Sequence, residues 1–202
     1  MIIGVNCGHT GTGAGCGATG FISESEGTRR VGYALMEKLK AAGIEVVDCT
    51  VDKADTQKEY LSTVVTIANR KELDWLISIH FNASANHTGH GVEIYTYKGR
   101  QYVEAVDICN NIAKLGFCNR GVKNGSNLYV IRKTKAKAIL IEVCFCDNSK
   151  DVEIYNRAGG ENTVAQAMKE SARGTSQLAK EANALFGIKK NGWTVVMWRF
   201  LF

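Results

Sequence analysis

The sequence contains no proline, no Cys-x-x-Cys spacing, no internal repeat and no apolar run of membrane-spanning length. Nothing in the sequence explains the missing proline. The longest apolar run lies between Val195 and Phe202 and is broken by Arg199. That is far short of the roughly 20 residues a transmembrane helix needs, so no membrane partner is expected. No basic segment leads into an apolar stretch after Met1, so the expectation is cytoplasmic synthesis without a secretory signal. The missing Cys-x-x-Cys spacing excludes a structural zinc finger. The seven cysteines are an odd number and do not form a disulfide framework. Cys144 and Cys146 alternate within an apolar segment, as buried thiols in a reducing compartment do. Neither sign of charge dominates: 25 Lys and Arg face 20 Asp and Glu. Such a mild surplus would suit an anionic polymer but is ordinary for a soluble protein, and no nucleic-acid partner is expected.

What is present describes one compact domain. Hydrophobic residues make up 45% of the chain and charged residues 22%, the balance of a globular protein with a sizeable core. Met1 to Cys7 reads as a strand that runs into a loop with six glycines between Gly8 and Gly20. Val31, Leu35 and Leu39 mark one face of a helix that Gly43 ends. Further strands are expected at Ile44–Cys49, Trp75–Phe81, Gly91–Tyr97, Leu128–Ile131 and Ile139–Phe145. Further helices are expected around Tyr60–Ile67, at Val103–Leu115 and at Thr163–Phe186. Alternating strands and helices predict an α/β fold, a mostly parallel twisted sheet of about six strands with helices on both faces. Ligands in such folds gather at the carboxyl ends of the strands.

Several polar residues stand at those ends. His9 lies in the glycine-rich loop, where packing does not call for histidine. His80 ends the buried strand Leu-Ile-Ser-Ile-His, on the face that carries Leu76 and Ser78. Glu142 sits inside the apolar run Ile-Leu-Ile-Glu-Val-Cys-Phe, and a buried carboxylate is costly unless it is paired, metal-bound or protonated. Glu26 completes a capping-box pattern, Ser23-x-x-Glu26, while Glu24 is an equally available carboxylate. Two histidines and a carboxylate, with one position open for water, are a recurrent catalytic zinc set. On chemistry alone His87, His90, Glu93 and Asp147 compete for the same role.

Gly8-His9 with the glycine-rich stretch, Glu26, Ser78-Ile79-His80-Phe81-Asn82-Ala83, Gly91-Val92-Glu93-Ile94-Tyr95 and Leu140-Ile141-Glu142-Val143-Cys144-Phe145 together resemble the type 3 class of zinc-dependent N-acetylmuramoyl-L-alanine amidases. Such domains occur in bacterial cell-wall hydrolases and phage endolysins. The resemblance spans roughly Met1 to Phe186. It implies one zinc ion per chain, with His9, Glu26 and His80 as ligands and Glu142 as the catalytic carboxylate. It selects Glu26 over Glu24 by its place just before the helix's first apolar residues, four positions ahead of Arg30. Asn82 is expected to help position substrate, and the glycine loop to admit a bulky polymer near the metal. Thr10 and Ala136-Lys137-Ala138 depart from the family pattern without removing a ligand.

The implied reaction is hydrolysis of the amide between N-acetylmuramic acid and L-alanine of the peptidoglycan stem peptide, on the cell wall after release from the cytoplasm. Rival readings are another zinc-dependent wall hydrolase (a carboxypeptidase or deacetylase), a non-catalytic glycan-binding module, and a metal-free regulatory domain. Residues 1–187 are expected to form the catalytic domain. The apolar tail 188–202 is expected to be an edge strand, the start of a wall-binding module, or a self-association segment.

Overall fold

The computed structural model describes residues 1–172. The tail 188–202, with its edge-strand, wall-binding and self-association readings, lies outside the described residues. Along the chain come β1 (Ile2–Cys7), α1 (Glu24–Ala41), β2 (Glu45–Asp48), α2 (Gln57–Asn69), β3 (Trp75–Asn82) and β4 (Val92–Thr96). A short 3-10 turn (Tyr97–Gly99) leads on to α3 (Val103–Ala113), β5 (Asn119–Asn124), α4 (Tyr129–Lys133), β6 (Lys137–Phe145), α5 (Ser149–Arg157) and α6 (Gly160–Ala172).

The strands form one six-stranded sheet in the order β2-β1-β3-β6-β4-β5. β2, β1, β3 and β6 are parallel, and β4 is antiparallel to β6 and parallel to β5. Side chains alternate across this sheet. Ile3, Val5, Ile77, Ile79, Ile139 and Ile141 pack in a core with Leu35 of α1, Ile108 of α3 and Met168 of α6. Leu76 and Leu140 face the other way, against Tyr60 and Val64 of α2 and Val130 and Ile131 of α4. Each such fully buried aliphatic side chain contributes about 1.5–3 kcal/mol. The sheet therefore needs a helical layer on each face.

Toward the carboxyl ends of β1, β3 and β6 the second face turns polar. Asn6 and Ser78 are buried there and bond to each other, Ser78 Oγ donating to Asn6 Oδ1 at 2.8 Å. His80 and Glu142 come next, paired in register across β3 and β6. From β1 the chain passes through α1 to β2 on one side, then returns through α2 to β3 on the other. The carboxyl ends of β1 and β3 thus flank the point where the strand order reverses, where α/β sheets leave a crevice.

The elements differ from expectation in three places. Leu128–Ile131 is not a strand; α4 occupies this stretch, and its two buried residues Val130 and Ile131 are too short a run to show a period. The sixth strand is β5, whose sequence Asn-Arg-Gly-Val-Lys-Asn is polar because it lies at the sheet edge. The helix α5 was not expected; it precedes α6, with Gly159 between them at φ 96°, and α6 follows the expected final helix from Thr163 to Ala172, residues 173–186 lying outside the described ones.

Candidate metal centre

The centre begins at the end of β1. Gly8 donates its N–H to the Ile79 carbonyl at 2.8 Å, which holds the start of the loop against β3. A Cβ here would stand 2.5 Å from both His80 Cε1 and the Ile79 carbonyl oxygen, so only glycine fits. His9 then turns into the left-handed region at φ 66°. Arg29 fixes this turn from α1: its Nη2 donates to the His9 carbonyl at 3.2 Å and its Nε to Asp52 at 3.0 Å. His9 Nδ1 donates to the Gly15 carbonyl at 2.9 Å, which leaves Nε2 as the nitrogen open to a proton or a metal.

That Nε2 lies 3.0 Å from Glu24 Oε1, and His80 Nδ1 lies 3.3 Å from the same oxygen. The donor atoms of His9, Glu24 and His80 all fall within 4.8 Å of one another, and the three residues could hold a metal ion. Glu24 is 5% exposed and secured from the backbone, with Ala18 N–H on Oε2 at 2.8 Å and Phe81 N–H on Oε1 at 3.1 Å. Gly17 allows the loop to lie on this carboxylate, since a Cβ there would meet Glu24 Oε2 at 2.5 Å. At this position the missing side chain serves the packing of the loop on the centre.

Glu26, the carboxylate selected by the family resemblance, does not join the cluster. It is exposed on the far side of α1 and pairs with Arg30 at 3.1 Å. The capping box is also absent: Ser23 is the N-cap residue but makes no side-chain cap bond. Glu24 was legible in the sequence by another route. It stands seven residues before Val31, two helical turns, on the buried stripe that continues through Leu35 and Leu39, whereas Glu26 falls off that stripe.

Burial penalises the Glu24 carboxylate, but hydrogen bonds from His80 and His9 outweigh it and hold the pKa well below the usual range. Burial pulls His9 down, yet the Glu24 contact raises it above its ordinary 6.5. Burial dominates at His80 and leaves its pKa lowered.

Glu142 is the register neighbour of His80 on one side and of Glu93 on the other. Its Oε2 is enclosed and has no hydrogen-bond partner. Burial, then the Glu24 and Glu93 carboxylates, push its pKa well above the usual carboxylate range. Glu93, only 2% exposed, is not a ligand in this cluster. It accepts from Asn82 Nδ2 at 2.8 Å and Tyr95 Oη at 2.7 Å, and pairs with Arg120 and Lys123. Asn82 is thereby engaged at both ends, its Oδ1 accepting from Ala83 N–H at 2.9 Å. His87 pairs with Asp147 at 2.8 Å, and His90 Nδ1 lies 3.2 Å from the Thr88 carbonyl; neither they nor Asp147 belong to the cluster of His9, Glu24 and His80.

A family model described as N-acetylmuramoyl-L-alanine amidase matches residues 3–173. An uncharacterized protein of Clostridium perfringens is 37% identical over 84% of this chain and 52% of its own length. The N-acetylmuramoyl-L-alanine amidase CwlM of Bacillus licheniformis is 28% identical over 92% of this chain and 72% of its own. Among solved structures, the catalytic domain of the CD27L endolysin targeting Clostridia Difficile superposes with a TM-score of 0.79 at 28% identity, covering 86% of this chain and 97% of that one. The chain spans about half the length of the clostridial relatives it matches.

Proposed function

The chain belongs to the N-acetylmuramoyl-L-alanine amidase family, and from that premise we propose that it hydrolyses the amide between the lactyl group of N-acetylmuramic acid and L-alanine of the peptidoglycan stem peptide. The observation that carries this reading is the convergence of His9, Glu24 and His80 beside a carboxylate, Glu142, that has an unpartnered oxygen. Two imidazole nitrogens and one carboxylate oxygen suit zinc, and His9 is held in the tautomer that presents Nε2. These three residues would hold one zinc ion per chain, with Glu24 in the place that the sequence resemblance gives to Glu26. Bound zinc would supply Lewis-acid polarisation of a carbonyl and a water acidified toward neutrality.

The remaining chemistry falls to the chain. Glu142 takes a proton from the attacking water and delivers it to the alanine nitrogen as the carbon–nitrogen bond breaks. Burial and the neighbouring Glu24 and Glu93 carboxylates raise its pKa, the direction that favours holding the proton between the two halves of that transfer. Arg120 and Lys123, anchored on Glu93, place cations one strand away from Glu142. Among the described residues no helix is long and apolar enough to cross a membrane. The proposed place of action is the cell wall.

Digestion of purified walls followed by mass spectrometry of the products tests the reading. A free lactyl carboxylate on muramic acid and a new alanine amine are expected. Release of a terminal amino acid or of acetate, with that amide intact, would assign a carboxypeptidase or deacetylase instead.

A further inference from the structure

At the opposite end of the sheet from Glu142, the start of β6 borders a second concave site. Lys137 pairs in register with Trp75, whereas His80 and Glu142 lie five residues further along the same strands, roughly 16 Å away. The cavity there measures about 260 Å³ and is lined by Arg100, Arg132, Lys135 and Lys137 together with Tyr97 and Tyr102, and by no carboxylate. None of these four cations pairs with a carboxylate among the described residues. Thr134 also lines the cavity, and its Oγ1 is enclosed without a hydrogen-bond partner.

Helix electrostatics account for one of these cations. Arg132 stands in the last turn of α4, where a cation compensates the helix carbonyls. Lys135 and Lys137 follow on the same stretch, and Arg100 reaches the cavity from beyond β4, where its Nη1 donates to Tyr102 Oη at 3.4 Å. The wall is also fixed in shape: Asn69 accepts from Lys135 N–H at 2.9 Å and donates to the Lys133 carbonyl at 3.1 Å, which clamps the segment between α4 and β6. Four exposed like charges around one cavity give it a positive potential that favours an anion there and weakens with salt. Guanidinium forks, ammonium groups and tyrosine hydroxyls are donors suited to phosphate oxygens.

We propose that this cavity is a non-catalytic binding site for the phosphate groups of a polyol-phosphate polymer of the cell wall; the choice of the wall as source rests on the amidase reading above. The aromatic rings argue for a polyol rather than a nucleic acid. Single-stranded nucleic acids need open faces on which bases stack. Here Lys137 Nζ sits 5.1 Å over the Trp75 ring and 5.7 Å from the Tyr102 ring, and Lys98 Nζ lies 5.6 Å over Tyr97.

The test uses the full chain, a defined glycerol-phosphate oligomer and a single-stranded DNA oligomer of equal charge, with calorimetry at several salt concentrations. The glycerol-phosphate oligomer should bind, and the DNA more weakly. Replacing the exposed pair Arg132→Gln and Lys135→Gln should weaken binding about tenfold or more and flatten the salt slope by about 0.7–0.9 for each lost contact. A matched variant, Lys53→Gln with Lys58→Gln, should bind as the parent does. The proposal is overturned if the parent chain does not bind, if both double variants lose affinity equally, or if DNA binds as tightly as the glycerol-phosphate oligomer. Cleavage of a soluble muropeptide, measured on the same samples, should be equal for the parent and the Arg132/Lys135 variant. Absence of cleavage in the parent chain refutes the amidase reading while the binding comparison still stands.

Discussion

Replacing Glu24 and Glu26 separately by glutamine discriminates between two carboxylates that stand two residues apart on one helix. Glu24→Gln keeps the volume but puts an amide NH2 where a carboxylate oxygen accepted. Oε2 receives Ala18 N–H and Oε1 receives Phe81 N–H, so either orientation of the amide sets a donor against a backbone donor. Leaving one such buried N–H unsatisfied costs about 1–3 kcal/mol. The charge that draws His9 Nε2 and His80 Nδ1 together is lost as well. Removing a mere outer-shell partner typically lowers metal affinity about 10- to 100-fold, or roughly 1.4–2.8 kcal/mol, and losing the ligand itself should exceed that. Glu26→Gln removes only an exposed i,i+4 pair with Arg30, worth about 0.3–0.5 kcal/mol. Zinc content after gel filtration, chelator competition and thermal melting together read out both variants. The reasoning fails if Glu26→Gln loses zinc while Glu24→Gln retains it.

Glu142→Gln should keep zinc and fold yet lose about 10²- to 10⁴-fold in turnover, the usual share of a general acid–base; near-parental wall lysis by the folded variant would remove Glu142 from the mechanism. Gly8→Ala should destabilise by about 1–3 kcal/mol and weaken zinc binding, because its Cβ would meet the Ile79 carbonyl and the His80 ring at 2.5 Å and the backbone carbonyl cannot rotate away. An unchanged melting temperature and zinc affinity would refute that. Zinc affinity should fall as pH drops through the raised pKa of His9, since the metal must displace a proton from that imidazole. Titration with a zinc-buffered indicator between pH 8 and about 5.5 measures this, and a flat profile would exclude His9 as a ligand.

The sheet was legible because β1, β3 and β6 are buried on both faces near their centres and read as continuous apolar runs. His9, His80 and Glu142 stood out for the same reason: each interrupts a context that packing alone would make apolar or leave without imidazole. The edge strand β5 and the short helix α4 did not stand out. A polar six-residue edge strand resembles a loop, and a five-residue helix with two buried β-branched residues resembles a strand. The carboxylate completing the cluster was legible only through helical phase, which separates Glu24 from Glu26 by more than half a turn. The cation cluster on Glu93 had no sequence mark at all, because Arg120 and Lys123 reach it only through the pairing of β4 with β5.

The proximity of His9, just past β1, to His80 on the parallel strand β3 has a kinetic consequence. Parallel neighbours cannot form as a local hairpin, so β1 and β3 join only across the intervening α1, β2 and α2. The cluster is therefore a non-local contact, across 71 residues of sequence from His9 to His80, of the kind that is costly to close early in folding. If the cluster is open in the folding transition state, an ion that binds only the closed cluster acts chiefly by slowing unfolding. At 100 times its dissociation constant it would add about 2.7 kcal/mol to the folded state.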